Sequence, residues 1–177
     1  MSTDYTLSIR RKKDDKEIAK FLCNYLKGIF DSEFAKCINC NYRNSYNNGT
    51  FEYNDLSNML VAIQDKIALK YKTIQEKKFL IALSQNTKIK SELEEEIFYI
   101  ENEDIPELFN IFYDASVIQG SIITLVENNI KLNESEKKDS DDYNIAYKYN
   151  AKDLKSEDDK CSSYLWTNDI YCVIEDS

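Results

Sequence analysis

Histidine is absent from this 177-residue chain, which also holds only three glycines and one proline. Without an imidazole there is no Ser-His-Asp triad, no histidine general base and no histidine metal ligand. Gly28, Gly49 and Gly120 stand too far apart to build a glycine-rich phosphate loop. These absences exclude most familiar catalytic sites, so we expect a protein that is not an enzyme and takes no cofactor.

Long apolar runs are missing as well, since no segment approaches the roughly 18 uninterrupted apolar residues of a membrane helix. The start of the chain is polar and then basic at residues 10–13, without the apolar stretch of a signal peptide. We therefore expect a cytoplasmic protein that does not associate with membranes.

The five cysteines form an odd set, which argues against a disulfide framework in a chain without an export signal. Cys37 and Cys40 have the spacing of a zinc knuckle, but zinc needs four ligands, and the second pair would be Cys161 and Cys172. A redox pair would need a helix right after the first cysteine, whereas this stretch is rich in asparagine, a turn residue. We expect free thiols and no metal site.

The periodicity of the apolar residues predicts an α+β fold in a single domain, residues 1–177. The alternation of Tyr5, Leu7 and Ile9 with polar residues predicts an N-terminal strand. A helix capped by Asp14 or Asp15 is predicted next, followed by an asparagine-rich loop. The apolar residues of this helix recur at three-four spacing and are Ile18, Phe21, Leu22, Tyr25, Leu26, Ile29 and Phe30.

The middle of the chain is predicted to be a cluster of helices. The first begins at Asn54 or Asp55 and ends near Tyr71. Two pairs of residues have the spacing of a capping box, and each predicts the start of a helix. Asp104 followed by Pro106 predicts another start, with Asp104 as the N-cap and Pro106 in the first turn. The capping-box pairs are Thr73 with Glu76 and Ser91 with Glu94. A break or bend is expected at Gly120.

The C-terminal third changes character. Residues 131–142 are almost wholly polar and predict a mobile connection. Alternating tyrosine and isoleucine over residues 143–149 predicts a strand, and a hairpin is predicted around residues 167–169. We expect the N-terminal strand and the C-terminal strands to form a small antiparallel sheet beside a central helical cluster.

The net charge of −9 conceals a strong segregation of charge along the chain. Residues 1–90 hold 16 basic and 10 acidic side chains, a charge of +6, while residues 91–177 hold 7 and 22, a charge of −15. Residues 92–107 contain eight carboxylates and no lysine or arginine. Two interpretations stay open: a solvated surface that keeps the protein soluble, and a docking face for a cationic partner.

We predict partner-binding residues in this acidic run. Carboxylates steer a cationic partner, and tyrosine combines a large contact area with a hydrogen-bonding tip. The predicted set is Glu92, Glu94, Glu95, Glu96, Tyr99, Glu101, Glu103 and Asp104. The basic residues 10–13 are expected to protect the edge of the first strand or to meet the acidic second half of the chain within the fold, because the net charge opposes nucleic-acid binding.

A small acidic chain rich in Glu, Asp and Tyr, with stretches such as residues 92–96 and 101–104, resembles the immunity proteins of bacterial toxin systems, including contact-dependent growth inhibition. The resemblance is one of kind and rests on no shared motif. It implies a stoichiometric inhibitor of a cognate toxin, a nuclease whose basic RNA-binding cleft an acidic surface can block.

Two other functions fit the same residues. A nucleic-acid mimic that inhibits a host defence enzyme would space its carboxylates like phosphates along an extended face. A helical adaptor without inhibitory action would bind through an apolar groove and depend weakly on salt. The oligomeric state stays open at this point.

Overall fold

The computed structural model describes residues 4–38, 40–43, 46–134 and 165–176, and its fold is α+β. The strands are β1 (Tyr5–Arg11), β2 (Glu17–Leu22), β3 (Cys40–Arg43), β4 (Tyr46–Phe51) and β5 (Ile170–Asp176). The helices are α1 (Leu26–Phe30), α2 (Tyr53–Leu83), α3 (Thr87–Tyr99) and α4 (Ile105–Glu134). Short 3₁₀ turns cover Glu33–Ile38 and Leu165–Asn168, and a π turn covers Ile100–Asp104.

The described strands form one antiparallel sheet in the order β2-β1-β5-β4-β3. β1 and the C-terminal β5 pair along their whole length, which confirms the predicted sheet between the two ends of the chain. Alternate side chains of both strands are buried, namely Leu7, Ile9, Cys172 and Ile174.

The basic residues at the end of β1 meet acids within the fold, from the second half of the chain at Arg10, as predicted, but from the first half at Arg11 and Lys12. Arg10 pairs with Glu175 of β5 at 3.2 Å, and Lys12 pairs with Glu52 at 2.6 Å. Lys20 of β2 adds a second contact to Glu175 at 3.0 Å. Cationic side chains of the first half are therefore partly neutralised inside the molecule.

The prediction of a helix after β1 is wrong for its first half, because residues 17–22 form β2 and only the short helix α1 follows. The expected caps make the connecting turn instead. Asp15 adopts a left-handed φ of 60°, and Asp14 Oδ1 accepts a hydrogen bond from the backbone N–H of Lys16 at 3.2 Å. Pairing with β1 satisfies the backbone groups that a helix would have satisfied internally.

Two further predictions for irregular or hairpin structure are corrected. The asparagine-rich loop contains the antiparallel pair β3 and β4, with Cys40 opposite Gly49. Residues 165–168 form a 3₁₀ turn before β5, so no hairpin is present around residues 167–169. The strand predicted over residues 143–149 lies outside the described residues.

The helical middle contains fewer helix starts than predicted. α2 runs without interruption through Thr73, whose hydroxyl donates to the Leu69 carbonyl at 3.0 Å within the helix, so it is no cap. α3 is capped by Asn86, whose Oδ1 accepts from Lys88 N at 2.9 Å and from Ile89 N at 3.3 Å, not by Ser91.

Asp104 and Pro106 do not begin a new helix either. The helix continues from α3 into α4 through the π turn, in which the Ile105 N–H bonds to the Ile100 carbonyl five residues earlier. Proline has no N–H and clashes with the carbonyl four residues back, so a widened turn beside Pro106 accommodates it. Gly120 lies within α4 without breaking it, and residues 131–134 of the predicted mobile connection are the end of α4.

The chain packs into two compact units. Unit 1 comprises the described parts of Met1–Met59 and Asp114–Ser177, and unit 2 comprises Leu60–Tyr113. In unit 1 the buried Trp166 ring meets Tyr53 edge-on at 5.5 Å, and its Nε1–H donates to the Glu127 carboxylate. The prediction of a single domain stays a prediction.

By length and composition, one described helix could cross a membrane. The helix Thr87–Ile130 contains an 18-residue window with a mean hydropathy of 1.3, of which 28% is buried. Its buried residues recur every three or four positions, as in a helix that packs on a core. They include Ile111, Ala115, Ile118, Ile122 and Val126.

Candidate functional site

Unit 2 carries all eight of the predicted partner-binding residues, on α3 and the π turn. Its small core consists of Ile74 from α2 together with Ile97, Ile100 and Ile105, with Ile81 packed against them. This isoleucine layer fixes which face of α3 points inward. Every acidic residue between positions 92 and 103 is exposed, and Asp104 is half-buried.

Five of the predicted residues line one recess of about 520 Å³, which we call the acidic recess. Glu92, Glu95, Glu96 and Tyr99 stand at three-four spacing along α3, so they share one stripe of the helix. Asp104 of the π turn belongs to the same recess. The remaining lining residues are Lys70 and Lys77 of α2 and the buried Ile100.

The two lysines neutralise part of the acidic run, which contains no lysine or arginine of its own. Lys70 Nζ lies 3.1 Å from Asp104 Oδ2, and Lys77 Nζ pairs with Glu96 Oε2. Both pairs join α2 to the acidic segment inside unit 2. Part of the segregated charge therefore holds the unit together, at about 1 kcal/mol or less for each partly exposed pair.

Glu92 and Glu95 remain without an ion pair within the part of the chain that the structure describes. The recess holds four carboxylates and two ammonium groups, which leaves an excess charge of −2. Residues three apart on a helix have Cβ atoms about 5–6 Å apart, a gap that a guanidinium can bridge. The acidic recess thus offers a two-carboxylate acceptor for a cation.

Tyr99 supplies an aromatic ring next to these carboxylates and is 59% exposed. The face of a tyrosine ring attracts a lysine or arginine head group, and the buried Ile100 beside it gives the aliphatic stem an apolar contact. The recess therefore combines carboxylates, an aromatic ring and an apolar side chain, the groups that suit a basic side chain.

The other three predicted residues do not line the recess. Glu94 and Glu101 are seven positions apart and share a different stripe of the helix with Phe98, which is 68% exposed. Glu103 is exposed on the π turn. The predicted set consequently divides into a recess group of five residues and an outer group of three.

Sequence reasoning missed Lys70 and Lys77, because they come from a helix 15 or more residues upstream of the acidic run. A signal for them was present, since α2 is basic between residues 66 and 78 while α3 is acidic. A second missed feature is a set of exposed apolar residues on α2, including Leu69, Phe79 and Leu83.

Comparisons with models of protein families, with curated proteins and with solved structures found no match to this chain. The functional argument accordingly rests on the geometry of unit 2.

Proposed function

We propose that this chain is an immunity protein that binds and neutralises a cognate bacterial toxin, a basic nuclease, by stoichiometric protein-protein inhibition. The observation that carries the proposal is the excess of two carboxylates in the acidic recess, at Glu92 and Glu95, beside the exposed ring of Tyr99. A cytoplasmic location and the lack of catalytic activity of its own belong to the same proposal.

The proposed contact begins with long-range attraction. The second half of the chain carries a charge of −15, and the eight carboxylates of residues 92–107 steer a basic protein toward this surface and raise its association rate, more so at low salt. An arginine or lysine of the toxin then enters the recess, pairs with Glu92 and Glu95 and lies against Tyr99. Phe98 lies in the surrounding contact area, and the outer glutamates lie at its rim, where a charge affects mainly the association rate.

A nuclease suits this surface because a cleft that binds a phosphate backbone must itself present lysine and arginine. Interfaces of ordinary size bury roughly 1,600 Å² in total, so the recess is the centre of a larger contact. A nucleic-acid mimic is less favoured, because Glu96 and Asp104 are paired with lysines and the remaining carboxylates lie on two different stripes.

The test is co-expression with the product of the adjacent upstream gene. We expect that product to be toxic alone, to be harmless together with this chain, and to co-purify with it as a complex of fixed stoichiometry. The proposal fails if the neighbour is harmless by itself, or if it still kills cells that contain this chain in folded form.

A further inference from the structure

α2 is apolar on two opposite faces over its second half. Ile67, Ile74 and Ile81 are seven residues apart and point into the core side of the helix. On the opposite side, Leu69, Phe79 and Leu83 are 56%, 64% and 65% exposed. A helix with two apolar faces is normally covered on both, because exposed contiguous apolar surface marks a binding site.

The exposed face follows a regular spacing. Leu69, Lys72, Glu76, Phe79 and Leu83 are separated by three, four, three and four residues, with Leu80 next to them, and we call this set the outer stripe. This is the spacing of the seam of a coiled coil. Part of the stripe forms a shallow recess of about 450 Å³ lined by Lys72, Gln75, Glu76, Phe79 and Leu80.

The middle of the outer stripe, from Leu69 to Phe79, is self-complementary, whereas Leu83 would face the exposed Asp65 in the same register and lies outside the matched part. If a second α2 runs antiparallel with the two-fold axis at Ile74, Leu69 of one copy faces Phe79 of the other, and Lys72 faces Glu76. The same register places the exposed Ala68 opposite Leu80. A two-fold interface requires this reciprocity, in which residue i meets j and j meets i.

The charged pair makes the choice of occupant specific. Neither Lys72 nor Glu76 has an ion pair or hydrogen bond elsewhere in the described part of the chain. Both lie in the middle of the stripe, where two equal charges would repel and opposite charges fix one register. A second copy of this chain supplies the matching sequence of apolar, cationic, anionic and apolar groups.

We infer that two copies of this chain associate through the outer stripe of α2 in antiparallel orientation, with Lys72 of each copy paired to Glu76 of the other. The closest part of the seam, from Ala68 to Leu80, is about 18 Å long at 1.5 Å per residue. An interface this short is weak, and we expect a dissociation constant in the micromolar range. The acidic recess is on other residues, so this inference is independent of the toxin.

The test is sedimentation equilibrium of the full chain from about 1 to 200 μM, a range that brackets weak interfaces. We expect the native protein to dimerise. Lys72→Glu and Glu76→Lys should each raise the dissociation constant at least about tenfold, and the double exchange should restore it to within about threefold. If net charge alone mattered, Glu76→Lys would lower the dissociation constant, because it makes this acidic protein less self-repulsive.

The matched control is Lys78→Glu, which makes the same charge change at an exposed position of α2 outside the outer stripe. It should leave the dissociation constant within about threefold. Circular dichroism of each variant shows whether α2 is retained, and the rescue by the double exchange guards against a folding defect in a single variant.

Carbodiimide cross-linking of an equal mixture of ¹⁴N- and ¹⁵N-labelled chains gives a direct readout of the register. We expect Lys72–Glu76 cross-links that join a light and a heavy peptide. Three results would each overturn the inference: cross-links within one isotope only, a monomer at all concentrations, or a dimer whose dissociation constant neither single reversal changes. The stripe would then contact another protein or none.

Discussion

The sharpest test of the acidic recess is a double charge reversal, Glu92→Lys with Glu95→Lys. It changes the excess charge of the recess from −2 to +2, while the pairs Lys70–Asp104 and Lys77–Glu96 are left in place. The two reversed side chains are exposed and have no ion pair within the described residues, so we expect the free energy of unfolding to change by less than about 0.5 kcal/mol.

Binding to the partner should respond far more strongly than folding. Each exposed ion pair contributes about 0.2 to 1 kcal/mol, and a reversal replaces an attraction by a repulsion of similar size. For two positions the expected loss is about 2 kcal/mol, which is roughly thirtyfold in Kd. Surface plasmon resonance against the co-purified partner, at low and at physiological salt, gives Kd and the association rate.

The matched control is Glu94→Lys with Glu101→Lys, which changes the net charge equally but on the stripe outside the recess. We expect a slower association and a Kd within about threefold of the native value. Equal effects of the two double variants would mean that only net charge matters, and the absence of any effect would place the interface elsewhere. Either result refutes a recess that receives a basic side chain.

Three further predictions concern unit 1. Burial raises the pKa of the Asp114 carboxyl above its ordinary value of 3.8. The stability that this group contributes is therefore fully present below pH 3.8 and is lost as the pH rises through the pKa of the folded state. In urea unfolding, Asp114→Asn should gain stability relative to the native protein with rising pH, and a difference that does not change with pH would contradict this. A Cβ added at Gly28 would lie 2.8 Å from Asp114 Oδ2. Gly28→Ala should therefore raise the free energy of unfolding by about 0.5 to 1 kcal/mol in an Asp114→Ala background and by clearly less in the native background. Equal effects in the two backgrounds would argue against the close approach. Burial raises the pKa of the Cys23 thiol to about 11 and that of the Cys172 thiol as well. At about pH 8 a thiol reagent should therefore label the half-buried Cys37 before Cys23 and Cys172, and peptide mass mapping that finds either of these two labelled as fast as Cys37 would count against their burial.

The fold and the site were predictable to different extents. The alternation of Tyr5, Leu7 and Ile9 is a local pattern that one strand satisfies, and that prediction is confirmed. The helix predicted from Asn54 or Asp55 is also confirmed, since α2 begins at Tyr53 and a helix repeats every 3.6 residues whatever surrounds it. Helix boundaries were predicted poorly, because capping patterns such as Thr73 with Glu76 also occur within continuous helices.

The sequence by itself determined the α+β class, the pairing of the two chain ends in one sheet and the charge segregation, because these depend on short-range periodicity and on counts. The structure, not the apolar spacing, decided that residues 17–22 are a strand, since the helix predicted there loses to backbone pairing with the preceding strand β1. Tertiary packing decided which carboxylates are paired, because Lys70 and Lys77 of α2 reach Asp104 and Glu96 within unit 2. The charge left over at Glu92 and Glu95 is a property of that packing, and no reading of the acidic run alone distinguishes these two residues from their neighbours.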